Sequence, residues 1–286
     1  MAPRRRGSAG PVSAAFTRSV RGDGLGALAA EFSARGFIIL PRLLTARAAD
    51  AGVRRCDAML GRRDGSVPAE WLLGTHQRNQ LEPQAWISDI ALHPDLMTLI
   101  RALLGGERPA LLSTQVFVKE PSASAAEVPW HQDGPSGGNS IAVWLALDAI
   151  AADGSNGGLQ VLPWPHARGR LPADAGAGAA STAYDRIDDA GLAPHLPGVT
   201  YALRPGGVGV HGPWTPHRSG PNTSRRRRRV LVLRYASAAK LAARGEPLWL
   251  MRGGADEVEA GSEDGGAHQI PRWTDGALID RRAYVL

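Results

Sequence analysis

Two residues with metal-binding side chains, His131 and Asp133, lie two positions apart in this 286-residue sequence. They belong to the segment 129–134, which reads PWHQDG. In an extended strand the side chains of residues i and i+2 point to the same face. One imidazole nitrogen and one carboxylate oxygen could therefore reach the same metal ion. A His-x-Asp pair also occurs often by chance, so it needs support from the rest of the chain.

His217, which opens the segment HRSGPN, is the best candidate for a third ligand. Two histidines and one carboxylate on one face of an octahedron form the facial triad of non-haem Fe(II) oxygenases, which leaves three positions open for a chelating cosubstrate and O₂. Arg228 follows His217 by eleven residues. Its planar guanidinium could bind a carboxylate through two charge-assisted hydrogen bonds. The pattern therefore predicts an iron site next to a site for a 2-oxo diacid.

Short apolar runs around these residues are predicted to form the strands that position them. Each run is bounded by Gly, Pro, Asn or Asp, which favour turns. The predicted strands are 111–118, 141–147, 159–162, 207–211 and 230–235. The predicted upstream elements are helices at 23–35, 45–61 and 94–105 and a buried strand at 37–40. Helices ahead of short strands favour a mainly β protein with a double-stranded β-helix core (a cupin-like jelly roll) flanked by N-terminal α-helices.

The domain organisation is predicted from changes in amino-acid composition along the chain. Residues 1–22 are expected to be a disordered tail, and 23–286 a single domain. Its jelly-roll core is predicted over about 107–240. An Ala- and Gly-rich insert at about 166–200 lies within that core, and a loop of this length is typical of a lid or a binding loop. The segment 250–286 has no predicted role.

The positive charge of the chain is concentrated in two short runs. There are 33 basic and 27 acidic residues, and eight of the arginines lie at Arg4–Arg6 and Arg225–Arg229. Without those runs, 25 basic residues face 27 acidic ones. Nucleic-acid binding usually needs a continuous basic face, so no nucleic-acid partner is predicted, and most of the second run is interpreted as a solvated turn. An oxygenase that acts on nucleic acid through Arg225–Arg229 remains the alternative.

The remaining composition excludes several protein classes. No apolar run approaches the roughly 18 residues of a membrane span, so no membrane partner is expected. Cys56 is the single cysteine, which excludes an internal disulfide and favours a reducing compartment. Its apolar surroundings suggest that it packs in the core. The first ten residues lack the apolar segment of a signal peptide, and a cytoplasmic location is expected.

Four segments, in order along the chain, resemble the phytanoyl-CoA dioxygenase family of Fe(II)- and 2-oxoglutarate-dependent oxygenases. They are Lys119–Pro121 ahead of Trp130–Asp133, Val143–Asp148, Asn156–Pro163, and His211–Asn222 with Arg228 beyond it. The resemblance covers roughly residues 25–240, and the interval of eleven between His217 and Arg228 is the usual one in the family. The chain departs from the family at 163–166, where PWPH replaces Pro-Gly-Ser-His, and at 206–207, where Gly-Gly replaces Gly-Asp.

The resemblance implies a role for each matched residue. The metal ligands would be His131, Asp133 and His217, and the cosubstrate would be bound by Arg228, Ser219, Trp144 and Gln115. Arg228 and Ser219 would hold the distal carboxylate of 2-oxoglutarate. Trp144 could equally pack in the core, and Lys119 could be an ordinary cation at the end of a strand. His211 is interpreted as a residue of the core or of the surroundings of the metal site.

The resemblance implies a reaction in which 2-oxoglutarate is oxidatively decarboxylated at Fe(II). The oxidant formed from O₂ then attacks an unactivated C–H bond of the substrate. Related halogenases have a small residue in place of the carboxylate ligand, so Asp133 favours hydroxylation. Desaturation, ring closure, epimerisation and a non-catalytic metal-binding jelly roll remain alternatives. A small-molecule substrate from secondary metabolism is expected, with Trp130, Trp214 and Trp164 as candidate contacts. Trp71 and Trp86 could line the same pocket or pack the helices.

Overall fold

The computed structural model describes residues 24–61, 85–91, 93–121, 127–133, 140–172, 184–187, 192, 198–243 and 249–250. The α-helices in these ranges are α1 (Gly24–Arg35), α2 (Ala46–Gly61), α3 (Ala85–Ala91), α4 (Pro94–Leu103) and α5 (Ala238–Ala242). The longer strands are β1 (Phe37–Leu40), β2 (Pro109–Lys119), β3 (Val128–Asp133), β4 (Ser140–Ala146), β8 (Val208–His211) and β10 (Arg228–Ser237). The shorter strands are β5 (Leu159–Val161), β6 (Tyr184–Arg186), β7 (Val199–Thr200), β9 (His217–Ser219) and β11 (Trp249–Leu250).

Two antiparallel sheets form the body of the protein. The larger sheet has the strand order β1-β8-β4-β10-β2-β11, and the smaller one has the order β6-β3-β9-β5-β7. The order is non-sequential in both sheets, because strands that are neighbours in space are separated by other strands in the chain. This arrangement is the predicted double-stranded β-helix, in which residues on the inner faces of two sheets share one interior.

The outer face of the larger sheet packs against the N-terminal helices. Strand alternation places Leu231, Leu233 and Tyr235 of β10 on this face, in one apolar cluster with Leu96 and Ile100 of α4. The i, i+4 spacing of those two α4 residues forms the apolar stripe that covers the sheet. The helices therefore shield one face of the sheet and leave the other for the site.

The inner faces of the two sheets meet in a second cluster. Val230 and Val232 of β10 and Trp144 of β4 lie there against Leu159 and Val161 of the smaller sheet. These apolar residues occupy the middle of the sandwich. Polar residues lie on the same inner face on either side of this apolar cluster, and they form the candidate site.

The structure agrees with the predicted fold class, and most of the predicted elements overlap those observed. The observed helices α3 and α5 and the strands β6, β7, β9 and β11 were not predicted, because elements of two to seven residues are too short for a periodic pattern. The predicted tail at 1–22, the segment 250–286 except Leu250, and much of the 166–200 insert lie outside the described residues. The predictions for them, and for the domain bounds, stay predictions.

The expectations for Cys56 and for the tryptophans Trp71 and Trp86 can be compared with the structure. Cys56 is buried in the cluster under the helices, and burial raises the pKa of its thiol to about 12, as expected for a packing residue. Trp86 belongs to the same cluster, whereas Trp71 lies outside the described residues. Within the described ranges, no helix combines the length and hydropathy needed to cross a membrane.

Candidate metal centre

The three candidate ligands are brought together by the smaller sheet. His131 on β3 lies directly opposite His217 on β9, and Asp133 follows two residues later on the same face of β3. One ligand atom from each residue lies within 4.8 Å of the others. All three residues are buried. Cross-strand pairing thus joins residues that are 86 positions apart in the sequence.

Both histidines are held in one tautomer by the backbone. The Nδ1 atom of His131 donates to the Pro129 carbonyl over 2.8 Å, and that of His217 donates to the Thr215 carbonyl over 2.9 Å. A carbonyl oxygen can only accept a hydrogen bond, so Nδ1 carries the hydrogen in each ring. Nε2 then keeps its lone pair, which is the form that binds a metal ion.

The environment keeps the imidazoles neutral and the carboxyl group ionised. Burial, and then the charge of the neighbouring His217, lower the pKa of His131 to about 3. Burial lowers the pKa of His217 to about 4. Burial disfavours the charged form of Asp133, but the charges of Arg234 and the histidines outweigh it and hold the pKa of Asp133 below its usual range. The donor set at neutral pH is therefore two neutral nitrogens and one anionic oxygen, which fits a divalent transition metal.

Arg234 lies beside this donor set and was not identified from the sequence. Its Nη2 atom donates to Oδ1 of Asp133 over 3.3 Å, and its Nη1 atom donates to Oε1 of Gln115 over 2.6 Å. Alternation along β10 could have indicated it, because residues 228, 230, 232 and 234 share one face of the strand. The structure thus places Gln115 in contact with Arg234.

A buried guanidinium lies at the other end of that face of β10. Arg228 is 2% exposed, and its Nη2 atom donates to the Gly157 carbonyl over 2.9 Å and lies 3.5 Å from Oγ of Ser219. Among the described residues, no carboxylate forms an ion pair with Arg228, and its buried Nε has no hydrogen-bond partner. Burial lowers the pKa of Arg228 to about 10, so the group stays charged at neutral pH. An unpaired buried cation of this kind is suited to an anionic ligand.

A glycine is required where the chain passes this guanidinium. Gly157 has a φ of 73°, and a Cβ atom there would lie 2.7 Å from Cδ of Lys119 and 3.5 Å from Nη2 of Arg228. Its carbonyl also accepts a hydrogen bond of 2.9 Å from Oγ of Ser219. The Asn-Gly-Gly segment at 156–158 was the sequence signal for this close approach.

Lys119 reaches the same region from β2. Its Nζ atom donates to the carbonyls of Ser219, over 2.8 Å, and of Gly220. Burial and the nearby charge of Arg228 lower the pKa of Lys119 to about 8. Trp144 forms a wall of this region, with its ring 5.4 Å from the Arg228 guanidinium carbon. Three residues that the resemblance assigns to the cosubstrate, Trp144, Ser219 and Arg228, thus lie together, and Lys119 joins them.

His211 lies close to the triad but is not one of the three residues whose ligand atoms converge. Its ring is 4.5 Å from that of His217, and its Nδ1 atom is 3.5 Å from the hydroxyl of Tyr201. Gly209 leaves the room for Tyr201, because a Cβ atom at position 209 would lie 1.9 Å from the tyrosine ring. His211 therefore belongs to the buried surroundings of the site, as interpreted from its position in the sequence.

The three tryptophans predicted to contact substrate have different surroundings. Trp130 packs in an apolar cluster with Leu162 and Leu192, and its ring lies 5.1 Å from the guanidinium carbon of Arg218, which alternation on β9 turns to the opposite face from His217. Trp164 is buried, and its Nε1 donates to the Gly169 carbonyl over 2.8 Å. Trp214 is half-buried between β8 and β9 and stacks on the ring of His166. The structure therefore does not bring Trp130 to the face of the triad.

The basic run Arg225–Arg229, whose last two residues begin β10, lies in three different environments. Arg225 and Arg226 are exposed, as expected for a solvated turn. Arg227 forms ion pairs with Asp57 and Glu120, and Arg229 pairs with Asp57 and Asp148. Arg228 alone turns inward. The exposed basic surface from this run is therefore smaller than its sequence suggests.

Comparison with known proteins connects this geometry to a family. A family model described as phytanoyl-CoA dioxygenase (PhyH) matches residues 32–230. No curated protein gives a significant match.

Solved structures of similar fold include three proteins of related description. The epimerase SnoN, in complex with Fe³⁺, α-ketoglutarate and nogalamycin RO, is 21% identical with a TM-score of 0.61 over 85% of this chain and 96% of its own. AviO1 from Streptomyces viridochromogenes Tue57 is 26% identical with a TM-score of 0.55, over 74% of this chain and 95% of its own. EvdO2 from Micromonospora carbonacea var. aurantiaca, complexed with 2-oxoglutarate, is 26% identical with a TM-score of 0.54, over 73% of this chain and 89% of its own.

Proposed function

The chain belongs to the phytanoyl-CoA dioxygenase family, and from this membership we propose that it is an Fe(II)- and 2-oxoglutarate-dependent oxygenase that hydroxylates an unactivated C–H bond of a small molecule in secondary metabolism. The observation that carries the proposal is one inner surface with a buried His-His-Asp donor set and, further along it, a buried arginine without an ionic partner. EvdO2, which is described with bound 2-oxoglutarate, supports it.

Under this proposal the metal is held by Nε2 of His131, Nε2 of His217 and a carboxylate oxygen of Asp133. Fe(II) bound there would supply the activation of O₂ that converts 2-oxoglutarate to succinate and CO₂ and oxidises the substrate. The backbone carbonyls of Pro129 and Thr215 keep the two rings in their metal-binding tautomer. Asp133 supplies the carboxylate that favours hydroxylation.

The cosubstrate is oriented by the residues at the far end of β10. Arg228 has donors to spare for the distal carboxylate of 2-oxoglutarate, since its Nε is unpartnered. Ser219 can rotate its hydroxyl from the Gly157 carbonyl, where it donates now, to the same carboxylate. Lys119 adds a second positive charge. Arg228 and Ser219 are buried and Lys119 is half-buried, which strengthens the electrostatic attraction for a dianion.

The substrate is proposed to lie against half-exposed aromatic surface near the triad. Trp214 and its stacking partner His166 provide one such surface. Phe117 provides another, because it is 39% exposed and alternation along β2 places it on the same inner face as Gln115. Aromatic walls of this kind suit a small molecule with apolar surface.

The test is an anaerobic titration of the Fe(II)-loaded protein with 2-oxoglutarate, followed by the visible charge-transfer band of the chelate. We expect the band in the wild type. In Arg228→Met we expect the dissociation constant for 2-oxoglutarate to rise about 10- to 100-fold, since hydrogen bonds to a charged group contribute about 1.5–3 kcal/mol. Arg225→Met is the matched control and should leave it unchanged, whereas His131→Ala should lose Fe(II) binding.

Two outcomes would count against the proposal. A well-folded wild type that binds Fe(II) but gives no band would favour a metal-binding jelly roll without oxygen chemistry. Equal 2-oxoglutarate affinity in the wild type and Arg228→Met would show that the cosubstrate is bound elsewhere.

A further inference from the structure

The contact between Arg234 and Asp133 has no part in the function as described so far. Arg234 reaches Asp133 from the larger sheet, whereas Asp133 lies on the smaller one. The side chains are 26% and 9% exposed, so solvent screens this ion pair less than it screens a surface pair. It joins the two sheets beside the candidate metal ligands.

We propose that Arg234 is a positioning residue that occupies one oxygen of Asp133, so that the carboxylate presents only its other oxygen to the metal. This inference rests on the proposed function. A carboxylate can bind a metal ion through one oxygen or through both. If both oxygens of Asp133 bound, the ligand set would take one of the three positions that the cosubstrate and O₂ require.

The geometry explains why an arginine suits this role. Its guanidinium is planar and presents donors in fixed directions. Nη2 is directed to Asp133 while Nη1 donates to Gln115 over 2.6 Å. The two acceptors belong to different sheets, because Gln115 is on β2 and Asp133 on β3. Gln115 therefore holds the guanidinium in place, and its predicted contact with the cosubstrate stays a prediction.

Groups that hydrogen-bond to a metal ligand commonly orient it, and their loss typically costs about 10- to 100-fold in affinity or activity. Here the loss is expected at the cosubstrate step. Without Arg234, both oxygens of Asp133 become available to the metal, and 2-oxoglutarate has to displace one of them. The metal alone should then show a changed coordination, before any cosubstrate is added.

The experiment uses Co(II) in place of Fe(II), because the visible absorption of Co(II) reports its coordination number. The protein is compared as wild type, Arg234→Met, Arg234→Lys and Arg228→Met, first with Co(II) alone and then with 2-oxoglutarate. We expect Arg234→Met to change the Co(II) spectrum and to weaken 2-oxoglutarate binding about 10- to 100-fold. Arg234→Lys, which keeps one donor, should recover part of both effects.

Arg228→Met is the control that separates positioning from cosubstrate binding. It should weaken 2-oxoglutarate binding and leave the spectrum of Co(II) alone unchanged. Gln115→Met keeps Arg234 and removes its support, so it should give a smaller change of the same kind, and it replaces Arg234→Met if that variant does not fold.

The inference is overturned if the Co(II) spectra of Arg234→Met or Gln115→Met and of the wild type superimpose. Failure of the wild type to bind Co(II) at all would overturn the proposed function, and this inference with it. A wild type that binds Co(II) and 2-oxoglutarate beside an unaffected Arg234→Met would overturn the inference alone.

Discussion

At the scale of single residues, burial and a few directed hydrogen bonds set the chemistry of the site. His131, His211 and His217 are all buried, and desolvation is the main cause that lowers the pKa of each. Burial of these histidines lowers the stability of the metal-free protein, but it does not oppose metal binding, because a metal ion binds the neutral imidazole. The same logic applies to Arg228, whose burial without an ionic partner is costly in the absence of an anionic ligand.

The metal-free protein is therefore expected to lose stability as the pH falls from about 6.5 to about 4. In this range the unfolded chain protonates its histidines near their ordinary pKa of about 6.5, while the folded chain, with pKa values of about 3 for His131 and about 4 for His211 and His217, does not. Each histidine contributes a slope of up to about 1.4 kcal/mol per pH unit. Urea unfolding at a series of pH values measures it.

His211→Gln provides the internal comparison for that experiment. Carboxyl groups elsewhere also contribute to the pH dependence, so the difference between the two proteins isolates the histidine. The variant should show a slope between pH 6 and 4.5 that is shallower by about one proton. Identical slopes would mean that His211 is already protonated in the folded protein.

At the scale of elements, strand β10 performs two tasks with its two faces. Arg228 and Arg234 point inward to the site, and Arg229 points outward. Arg229 donates to Asp57 of α2 through Nε over 2.9 Å and to Asp148, just after β4, through Nη1 over 2.8 Å. These ion pairs link β10, which carries the site residues, to helix α2 and to the segment just after β4.

Arg229 of β10 and Arg225 in the turn before it should respond differently to the same substitution. Arg229→Met is expected to lower the free energy of unfolding by about 1–3 kcal/mol, because it removes the charged partner of Asp148 and one of the two arginines that pair with Asp57. It should leave 2-oxoglutarate affinity unchanged. Arg225→Met, at an exposed position, should stay within about 0.5 kcal/mol of the wild type. Urea unfolding and cosubstrate titration measure the two quantities; equal stability of both variants would contradict the fastening role.

At the scale of the whole molecule, the ligands are expected to join the two sheets. The metal ligands lie on the smaller sheet and the cosubstrate residues on both, since Arg228 is on β10 and Ser219 on β9. A ligand that binds only the folded state stabilises it by mass action, by about 2.7 kcal/mol at 100 times its dissociation constant. Metal and cosubstrate should therefore each raise the melting temperature.

Thermal unfolding with Co(II), and then with Co(II) and 2-oxoglutarate, tests this coupling. Each saturating ligand should raise the melting temperature of the wild type by about 5–10 °C. Arg228→Met should keep the increment from the metal and lose most of that from 2-oxoglutarate, and His131→Ala should lose both. An increment from 2-oxoglutarate in His131→Ala would show that the cosubstrate binds without the metal.

Features that depend on local spacing along the chain could be predicted from the amino-acid sequence. The stripe of α4 and the alternation of the strands predicted the fold class, and the i, i+2 relation of His131 and Asp133 placed two candidate ligands on one face. Alternation also separated Arg228 from Arg229. These relations depend on backbone geometry that any helix or strand imposes, so they could be recognised without knowing what packs against what.

Contacts between distant segments became known only from the three-dimensional fold. His217 faces His131 because the three-residue strand β9 pairs with β3, and so short a strand carries no periodic signal. Trp130 packs against Leu162, Leu192 and the Arg218 guanidinium instead of beside the triad, and local spacing around the irregular register of β3 does not show this. The contacts of Arg234 with Asp133 and Gln115 join two sheets. Such contacts depend on long-range packing, which the order of residues along the chain does not reveal.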